Sequence, residues 1–195
     1  MKKTTGDARI RRTMKQLKKS LICLLSEKQI SEITIKELCD TAGITRQTFY
    51  LRFDDLDQCI LYVSNIILED LREKINVQPP LRGMNGMDMT DHNIFIHLFE
   101  HILDNQAFYE SLLVNNTDSP FAKGFKSELY HFVKEGVTMV SPDESKLSAP
   151  KEMITVFTTA AFFDVIIWWI ENHYPYSKQE MAKTLLRLSV NGPYQ

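Results

Sequence analysis

Four consecutive side chains, at residues 45–48, carry hydrogen-bonding groups that suit the edges of DNA bases. Arg46 can form two parallel hydrogen bonds to guanine, and Gln47 can form two to adenine. Thr45 and Thr48 flank them with hydroxyl groups, which can bond to bases and phosphates alike. The chemistry available at these positions is recognition of a nucleic acid through hydrogen bonds.

Two short helices joined by a tight turn must position these four residues. An apolar stripe with helical spacing precedes them, at Ile35, Leu38, Cys39 and Ala42. Gly43 can adopt the left-handed conformation that ends a helix, and Thr45 is suited to cap the next one. Residues 33–53 therefore predict a helix-turn-helix, in which the start of the second helix meets the DNA major groove.

Basic residues are concentrated in the same part of the chain. Residues 1–52 contain 12 Lys and Arg against 5 Asp and Glu, whereas the remainder contains 11 against 20. The formal net charge of −2 hides this asymmetry. Because phosphate attraction supplies most non-specific affinity for DNA, the charges favour a DNA-binding head on an acidic body. The alternative is that these basic residues only solvate a helix face.

Helical periodicity continues along the rest of the 195 residues, and no alternation typical of a β-strand outlasts a turn. We expect helices over residues 7–28, 55–75, 93–104, 106–114, 120–140, 149–174 and 177–190, and a loop over residues 76–91. The predicted fold is all-α with about nine helices. An N-terminal three-helix DNA-binding domain over residues 1–54 precedes a helical effector-binding and dimerisation domain over residues 55–195, and the helix over residues 55–75 connects them.

The three cysteines, Cys23, Cys39 and Cys59, lack the paired spacing of a disulfide framework or metal motif, and they fall on apolar stripes. We expect small buried residues of a reducing cytosol, with a thiol sensor as the alternative. No secretion signal precedes the first helix, so the expected location is the cytoplasm.

The stretch over residues 157–170 is apolar on almost every side, and such a helix must be buried on every side. One flank can cover the core of its own chain, and the other most readily covers the same helix of a second copy. We reject a membrane span, because several threonines and the central Asp164 interrupt the stretch, and a mid-bilayer Asp costs about 2.5 to 3.5 kcal/mol. A homodimer without membrane contact is expected, with recognition helices about 34 to 36 Å apart.

Three motifs, ITIKEL at residues 33–38, AGITR at 42–46 and TFY at 48–50, followed by Phe53, resemble the TetR family of bacterial transcription regulators. The resemblance covers residues 14–60. The run WWIEN at residues 168–172, with PYS at 175–177, is similar to the subgroup that includes dihydroxyacetone kinase operon regulators. The resemblance implies a homodimer in which the last two helices of each chain build a four-helix bundle.

Carried over position by position, the resemblance implies three sets of DNA contacts. The start of the second helix faces the DNA backbone, the recognition helix lies in the major groove, and the side chains at the end of that helix lie against phosphates. The residues are Thr34, Lys36, Thr45, Arg46, Gln47, Thr48, Tyr50 and Arg52. Leu56 stands where the family commonly has a Lys, which puts one phosphate contact in doubt. The alternative is a helix-turn-helix that only packs. For the dimer interface we expect Phe163, Ile167, Trp168, Leu185 and Leu188.

Aromatic residues of the C-terminal part could line a pocket for an apolar or aromatic effector. The candidate lining residues are Phe99, Phe125, Phe132, Phe157 and Asp164. For each aromatic the alternative is a place in the core. Asp164 lies within an apolar helix, so it needs a partner on a neighbouring helix, across the dimer interface or on a ligand.

His97, Glu100, His101 and Asp104 share one face of a helix and include the His-x-x-Glu-His pattern of one class of zinc peptidase. The opposite face is apolar, so an amphipathic helix would simply show these four polar residues to water. No third protein ligand for a catalytic zinc is identifiable. We therefore expect no metal site, no cofactor and no enzyme, and a regulatory metal is the alternative.

The sequence as a whole predicts a sequence-specific regulator of transcription that binds double-stranded operator DNA. We expect a repressor whose operator affinity depends on an unidentified small-molecule or protein effector. Two alternatives stay open: an activator, and an interaction module whose C-terminal domain docks a partner protein.

Overall fold

The computed structural model describes residues 4–75, 93–140, 145 and 147–191. Within these residues the chain forms nine α-helices and no β-strand, which confirms the predicted all-α fold. The helices are α1 (Thr4–Leu25), α2 (Ile35–Ala42), α3 (Arg46–Tyr50), α4 (Leu56–Ile75), α5 (Asn93–Asp104), α6 (Gln106–Tyr109), α7 (Pro120–Val140), α8 (Lys151–Glu171) and α9 (Lys178–Asn191). The loop expected over residues 76–91 lies outside the described residues.

Two helix ends differ from the sequence prediction. The single helix expected over residues 106–114 is the short α6 followed by a π-helical turn, Glu110–Val114, in which Asn115 N–H donates to the Glu110 carbonyl. α8 stops at Glu171 because His173 and Tyr174 both adopt a φ of 58°, which no helix can continue through. The Trp169 indole stabilises the turn that contains His173 and Tyr174, because its Nε1 donates a hydrogen bond to the Tyr176 carbonyl at 2.9 Å.

The first three helices pack around a small apolar centre. Leu17 and Leu21 of α1 are buried beside Leu38 of α2 and Phe49 of α3. Phe53 follows α3 and is also buried, in contact with the Phe49 ring at 5.4 Å between centroids. These contacts fix the angle between α2 and α3.

α4 joins this head to the rest of the chain and packs against α5 and α7, while α8 packs on α7 and α9 on α5. A close approach between α4 and α7 occurs at Gly124, where a Cβ would collide with Leu68. The core beside α7 is aromatic: Tyr109 of α6 meets Phe121 and Phe125 edge-on, at 5.1 and 5.3 Å. Close packing at Gly124 therefore holds α4 against α7.

α8 is buried on one face only within this chain, and the prediction that a second copy covers its other face stays a prediction. Phe162, Ile166 and Trp169 face the core, whereas Phe157 is 73% exposed and Trp168 is 45% exposed. Within the described residues, α8 alone is long and apolar enough to cross a membrane, by length and composition. In this fold its buried face packs against α7 instead.

Candidate nucleic-acid interface

The turn between α2 and α3 is built by local hydrogen bonds. Thr34 caps α2, since its hydroxyl accepts from the Glu37 N–H at 3.3 Å. Gly43 then takes a left-handed φ of 64° and ends α2. Thr45 caps α3 in the same way, accepting from the Thr48 N–H at 3.1 Å, as the sequence predicted.

The caps decide which side chains of α3 stay available. The hydroxyl groups of Thr45 and Thr48 bond to each other at 2.9 Å, so one bonding position of each is already used within the helix. Arg46 and Gln47 are exposed, and among the described residues their side chains have no hydrogen bond or ion pair. The two side chains with the most specific base chemistry therefore stand free on the surface.

The other predicted DNA-binding residues surround this pair. Thr34, Lys36, Tyr50 and Arg52 are all exposed. Tyr50 is held by edge-to-face contact with the buried Phe49 ring, at 5.6 Å between centroids. The eight residues thus come from the start of α2 and from α3 with its two ends, and their contacts with DNA stay a prediction.

Leu51, the residue that caps the C-terminal end of α3, was not among the predicted DNA-binding residues. Its side chain is 76% exposed, the largest value among the exposed large apolar residues of the described chain. The signal that could have found it is its spacing. Leu51 follows Gln47 by four residues, which places the two on the same side of one helical turn.

The residues expected to line an effector pocket do not come together. Phe99 and Phe125 are fully buried in the core, and Phe132 is partly buried beside Phe95. Phe157 and Asp164 lie on the outer face of α8. Within the described residues no neighbouring helix supplies a partner for Asp164, because the face of α8 that carries it is exposed, and a partner across a dimer interface or on a ligand stays a prediction.

The residues expected at a dimer interface also divide into two groups. Phe163 and Leu185 are buried within this chain, and the Lys126 amine lies 5.2 Å from the centre of the Phe163 ring. Trp168 and Leu188 are exposed, and Ile167 is partly buried. Only the second group offers surface to another chain.

The polar face of α5 departs from the sequence interpretation. His97 and Glu100 are half-exposed and 3.6 Å apart, and Glu100 also pairs with Lys178 of α9 at 2.5 Å. His101, which was expected to face water, is 0% exposed. Within the described ranges no group of three or more metal-binding side chains is assembled.

His101 lies where α4, α5 and α6 meet. Its Nδ1 shares a hydrogen bond with the Tyr109 hydroxyl at 3.1 Å. Its Nε2 lies 3.2 Å from an Asp70 carboxylate oxygen, but the alignment is too poor for a hydrogen bond, and Nε2 has no other partner among the described residues. Burial lowers the pKa of His101 to about 4, and the Asp70 carboxylate opposes that change. The imidazole is therefore neutral near pH 7.

The cysteines follow the sequence prediction in two of three cases. Cys39 and Cys59 are buried, and burial raises the pKa of the Cys59 thiol to about 12. Cys23 is exposed, so the expectation that it is a core residue is wrong. The side of α1 opposite Leu17 and Leu21 carries it, and no helix among the described residues covers that side.

Comparison with known proteins adds a family and a fold. The family model TetR_C_8, described as a transcriptional regulator C-terminal region, matches residues 90–191. A search of curated proteins returned no significant match. Among solved structures the chain is similar to the dihydroxyacetone kinase operon activator DhaS, with 21% identity over 92% of this chain and 94% of that chain, and a TM-score of 0.63.

Two further structures share the fold. A TetR transcriptional regulator from Streptococcus agalactiae 2603V is 24% identical over 95% of this chain and 97% of that chain, with a TM-score of 0.65. The fatty acid degradation regulator FadR from Bacillus halodurans is 14% identical over 92% of this chain and 99% of that chain, with a TM-score of 0.63. At these identities the similarity establishes the fold.

Proposed function

Since the chain belongs to the TetR family of transcriptional regulators, we propose that it binds a short, roughly palindromic operator as a cytoplasmic homodimer and represses transcription. Residues 1–54 form the DNA-binding domain, and residues 55–195 form the effector-binding and dimerisation domain. The observation that carries the proposal is the free, exposed pair of Arg46 and Gln47 on the capped helix α3.

Reading and anchoring are divided between different side chains of the head. Arg46 and Gln47 read base edges in the major groove, where a good bidentate contact discriminates by about 1 to 3 kcal/mol. Lys36, Tyr50 and Arg52 bind phosphates, which fixes the register of α3 without reading sequence. The exposure of these five side chains supports this division.

The outer face of α8 pairs with the same face of a second copy. It presents an exposed apolar stripe, with Met153, Val156 and Phe157 near the N-terminal end of α8, Trp168 near its C-terminal end and exposed Asp164 between them, and such apolar surface is costly to leave in water. Leu188 of α9 is also exposed and was predicted at the same interface. A two-fold axis through this face would present two α3 helices to successive major grooves.

α4 carries the signal from the effector domain to the head. It is bound to the body by ion pairs on two sides: Arg72 with the buried Glu128 of α7, and Lys74 with Asp104 of α5 at 3.3 Å. An effector that favours a different seating of α4 would change the separation of the two heads. Couplings of this kind are about 1 to 3 kcal/mol, a change in operator affinity of about 5- to 150-fold.

The test of the DNA-binding role is selection of duplexes from a random library, followed by salt titration of the selected operator with two variants. Arg46→Ala should relax base preference at one position of each half-site. Arg52→Ala should weaken all duplexes alike and reduce the slope of log affinity against log salt by about 1 per half-site. The control is Arg187→Ala, at an exposed position of α9, which should change neither the base preference nor the salt slope. Selection of no preferred duplex would contradict the proposal.

The test of dimerisation is analytical ultracentrifugation of Phe157→Glu and Trp168→Glu. Each charge placed in the apolar stripe should shift the protein towards monomer at micromolar concentration, because an unpaired carboxylate resists burial. Lys123→Glu, on an exposed position of α7, is the matched control. A wild-type protein that is monomeric throughout would contradict the proposed dimer.

A second candidate function is an interaction module that docks a protein on the body. The observation that favours it is the exposed apolar surface of Met153, Val156 and Phe157 at the N-terminal end of α8, which a partner protein would cover in place of a second copy of this chain. Of the aromatic residues expected around a small-molecule effector, Phe99 and Phe125 are packed into the core, Phe132 is partly buried and Phe157 is exposed. Activation of transcription is the alternative to repression, because the similar structure DhaS is described as an operon activator. A promoter fusion with and without the gene would distinguish repression from activation.

A further inference from the structure

Leu51 is an apolar side chain in an unusual place. It follows Tyr50 at the end of α3 and is 76% exposed, whereas the neighbouring Phe49 and Phe53 fill the core of the head. Exposure of one leucine on a protein surface is common, but this leucine lies on the recognition helix between charged and polar side chains. It contributes little to the packing of the head.

The backbone fixes the direction of Leu51 relative to Gln47. The Leu51 N–H donates to the Gln47 carbonyl at 3.1 Å, and Leu51 has helical dihedral angles, φ −69° and ψ −8°. α3 therefore continues for one more helical position, and residues four apart on a helix are neighbours on one face. Leu51 and the free Gln47 amide lie side by side on the surface.

These two side chains match the two halves of an adenine–thymine step in the major groove. Glutamine pairs with the N6 and N7 edge of adenine, and thymine presents a 5-methyl group that apolar side chains contact. Exposed Arg46 and Arg52 flank the pair along the chain and supply the charge that draws this surface against phosphates.

We infer that Leu51 reads a thymine 5-methyl group in the major groove, next to the base that Gln47 contacts. This inference rests on the proposed function and adds a residue that determines specificity. In the complex with DNA, the methyl group of a thymine covers the exposed Leu51 side chain. The competing possibility, which the test distinguishes, is that Leu51 contacts the sugar–phosphate backbone.

The experiment uses the full-length protein and the duplex obtained by selection. Each thymine of the duplex is replaced in turn by uracil, which lacks only the 5-methyl group, and affinity is measured for wild type and for Leu51→Ala. For the wild-type protein, uracil at one position of a half-site should lower the affinity about fourfold, the value of one buried methyl group. Uracil at that position in both half-sites should lower it about 15-fold, the value of two. Leu51→Ala should be insensitive at that position and unchanged in its response elsewhere.

Leu61→Ala is the matched control, because Leu61 is an exposed leucine of α4 and should leave the uracil response at the wild-type value. Circular dichroism of Leu51→Ala checks that the head stays folded, and Leu51→Met is a second variant that should retain the methyl response. Equal uracil responses in wild type and Leu51→Ala would overturn the inference, as would a wild type indifferent to every thymine methyl. A selection that returns no preferred duplex would instead refute the proposed function, and this inference with it.

Discussion

Acidification should destabilise the protein through His101, and the size of the effect follows from its burial. The imidazole is 0% exposed, and its pKa is lowered to about 4 from an ordinary value of 6.5. Burial is the largest cause, and the charged groups that act on the ring come from three helices. They are Asp70 and Lys74 of α4, Lys18 of α1 and Asp104 of α5.

The sign follows from proton binding in the two states. Between pH 6.5 and 4 the unfolded chain protonates His101 while the folded chain does not, so the free energy of the unfolded state falls relative to that of the folded state as the pH is lowered. Stability is complete above pH 6.5 and declines towards pH 4. From these two pKa values, lowering the pH from 7.5 to 5.0 should cost about 2 kcal/mol of unfolding free energy through His101 alone.

The assay is urea unfolding followed by circular dichroism at several pH values between 5.0 and 7.5, at one fixed protein concentration. His101→Gln removes the titrating group while keeping a side chain that can bond to the Tyr109 hydroxyl. This variant should be less stable than wild type at pH 7.5, and the difference should narrow by about 2 kcal/mol at pH 5.0. Carboxylates remote from His101 contribute equally to both proteins and cancel in the comparison.

His97→Gln is the matched control, since His97 lies one turn earlier on α5 and is half-exposed. Its stability should follow the wild-type pH profile. If His101→Gln also ran parallel to wild type from pH 7.5 to 5.0, the imidazole would not be buried and neutral in the folded protein. The packing of α4 over α5 described above would then be wrong at this point.

Two further predictions concern the seating of α4. Gly124→Ala should lower the unfolding free energy by about 1 to 3 kcal/mol in urea titrations, because the new Cβ collides with Leu68. Gly136→Ala on the same helix meets no atom and should instead stabilise by about 0.5 to 1 kcal/mol. Glu128→Gln should cost about 1 kcal/mol in the same titrations, since its partner Arg72 is largely exposed and screened by solvent; no loss would mean that the ion pair does not hold α4 to α7.

The helix-turn-helix could be read directly from the sequence because its signals are local. The stripe ending at Ala42, the left-handed Gly43 and the cap at Thr45 each act within a few residues, and all three stand in the structure as expected. The family resemblance covered the same segment. Leu51 was missed there because an apolar residue after an apolar stripe is naturally taken for core.

The body of the protein depended on contacts between distant parts of the chain. Helical periodicity shows that one side of a helix differs from the other, but it does not show which neighbours will cover either side. His101 was expected in water on a polar stripe, yet α4 and α6 close over it. Asp164 was expected to find a partner first on a neighbouring helix, yet its face of α8 is exposed within this chain.

The sequence alone therefore determined the all-α fold, the helix-turn-helix and the family, since hydrophobic period, capping and turn geometry are properties of neighbouring residues. Tertiary structure decided which polar groups are dehydrated and which apolar groups remain in water. Burial is the sum of contacts from several elements, and for His101 those elements lie more than 80 residues apart, from Lys18 in α1 to Tyr109 in α6.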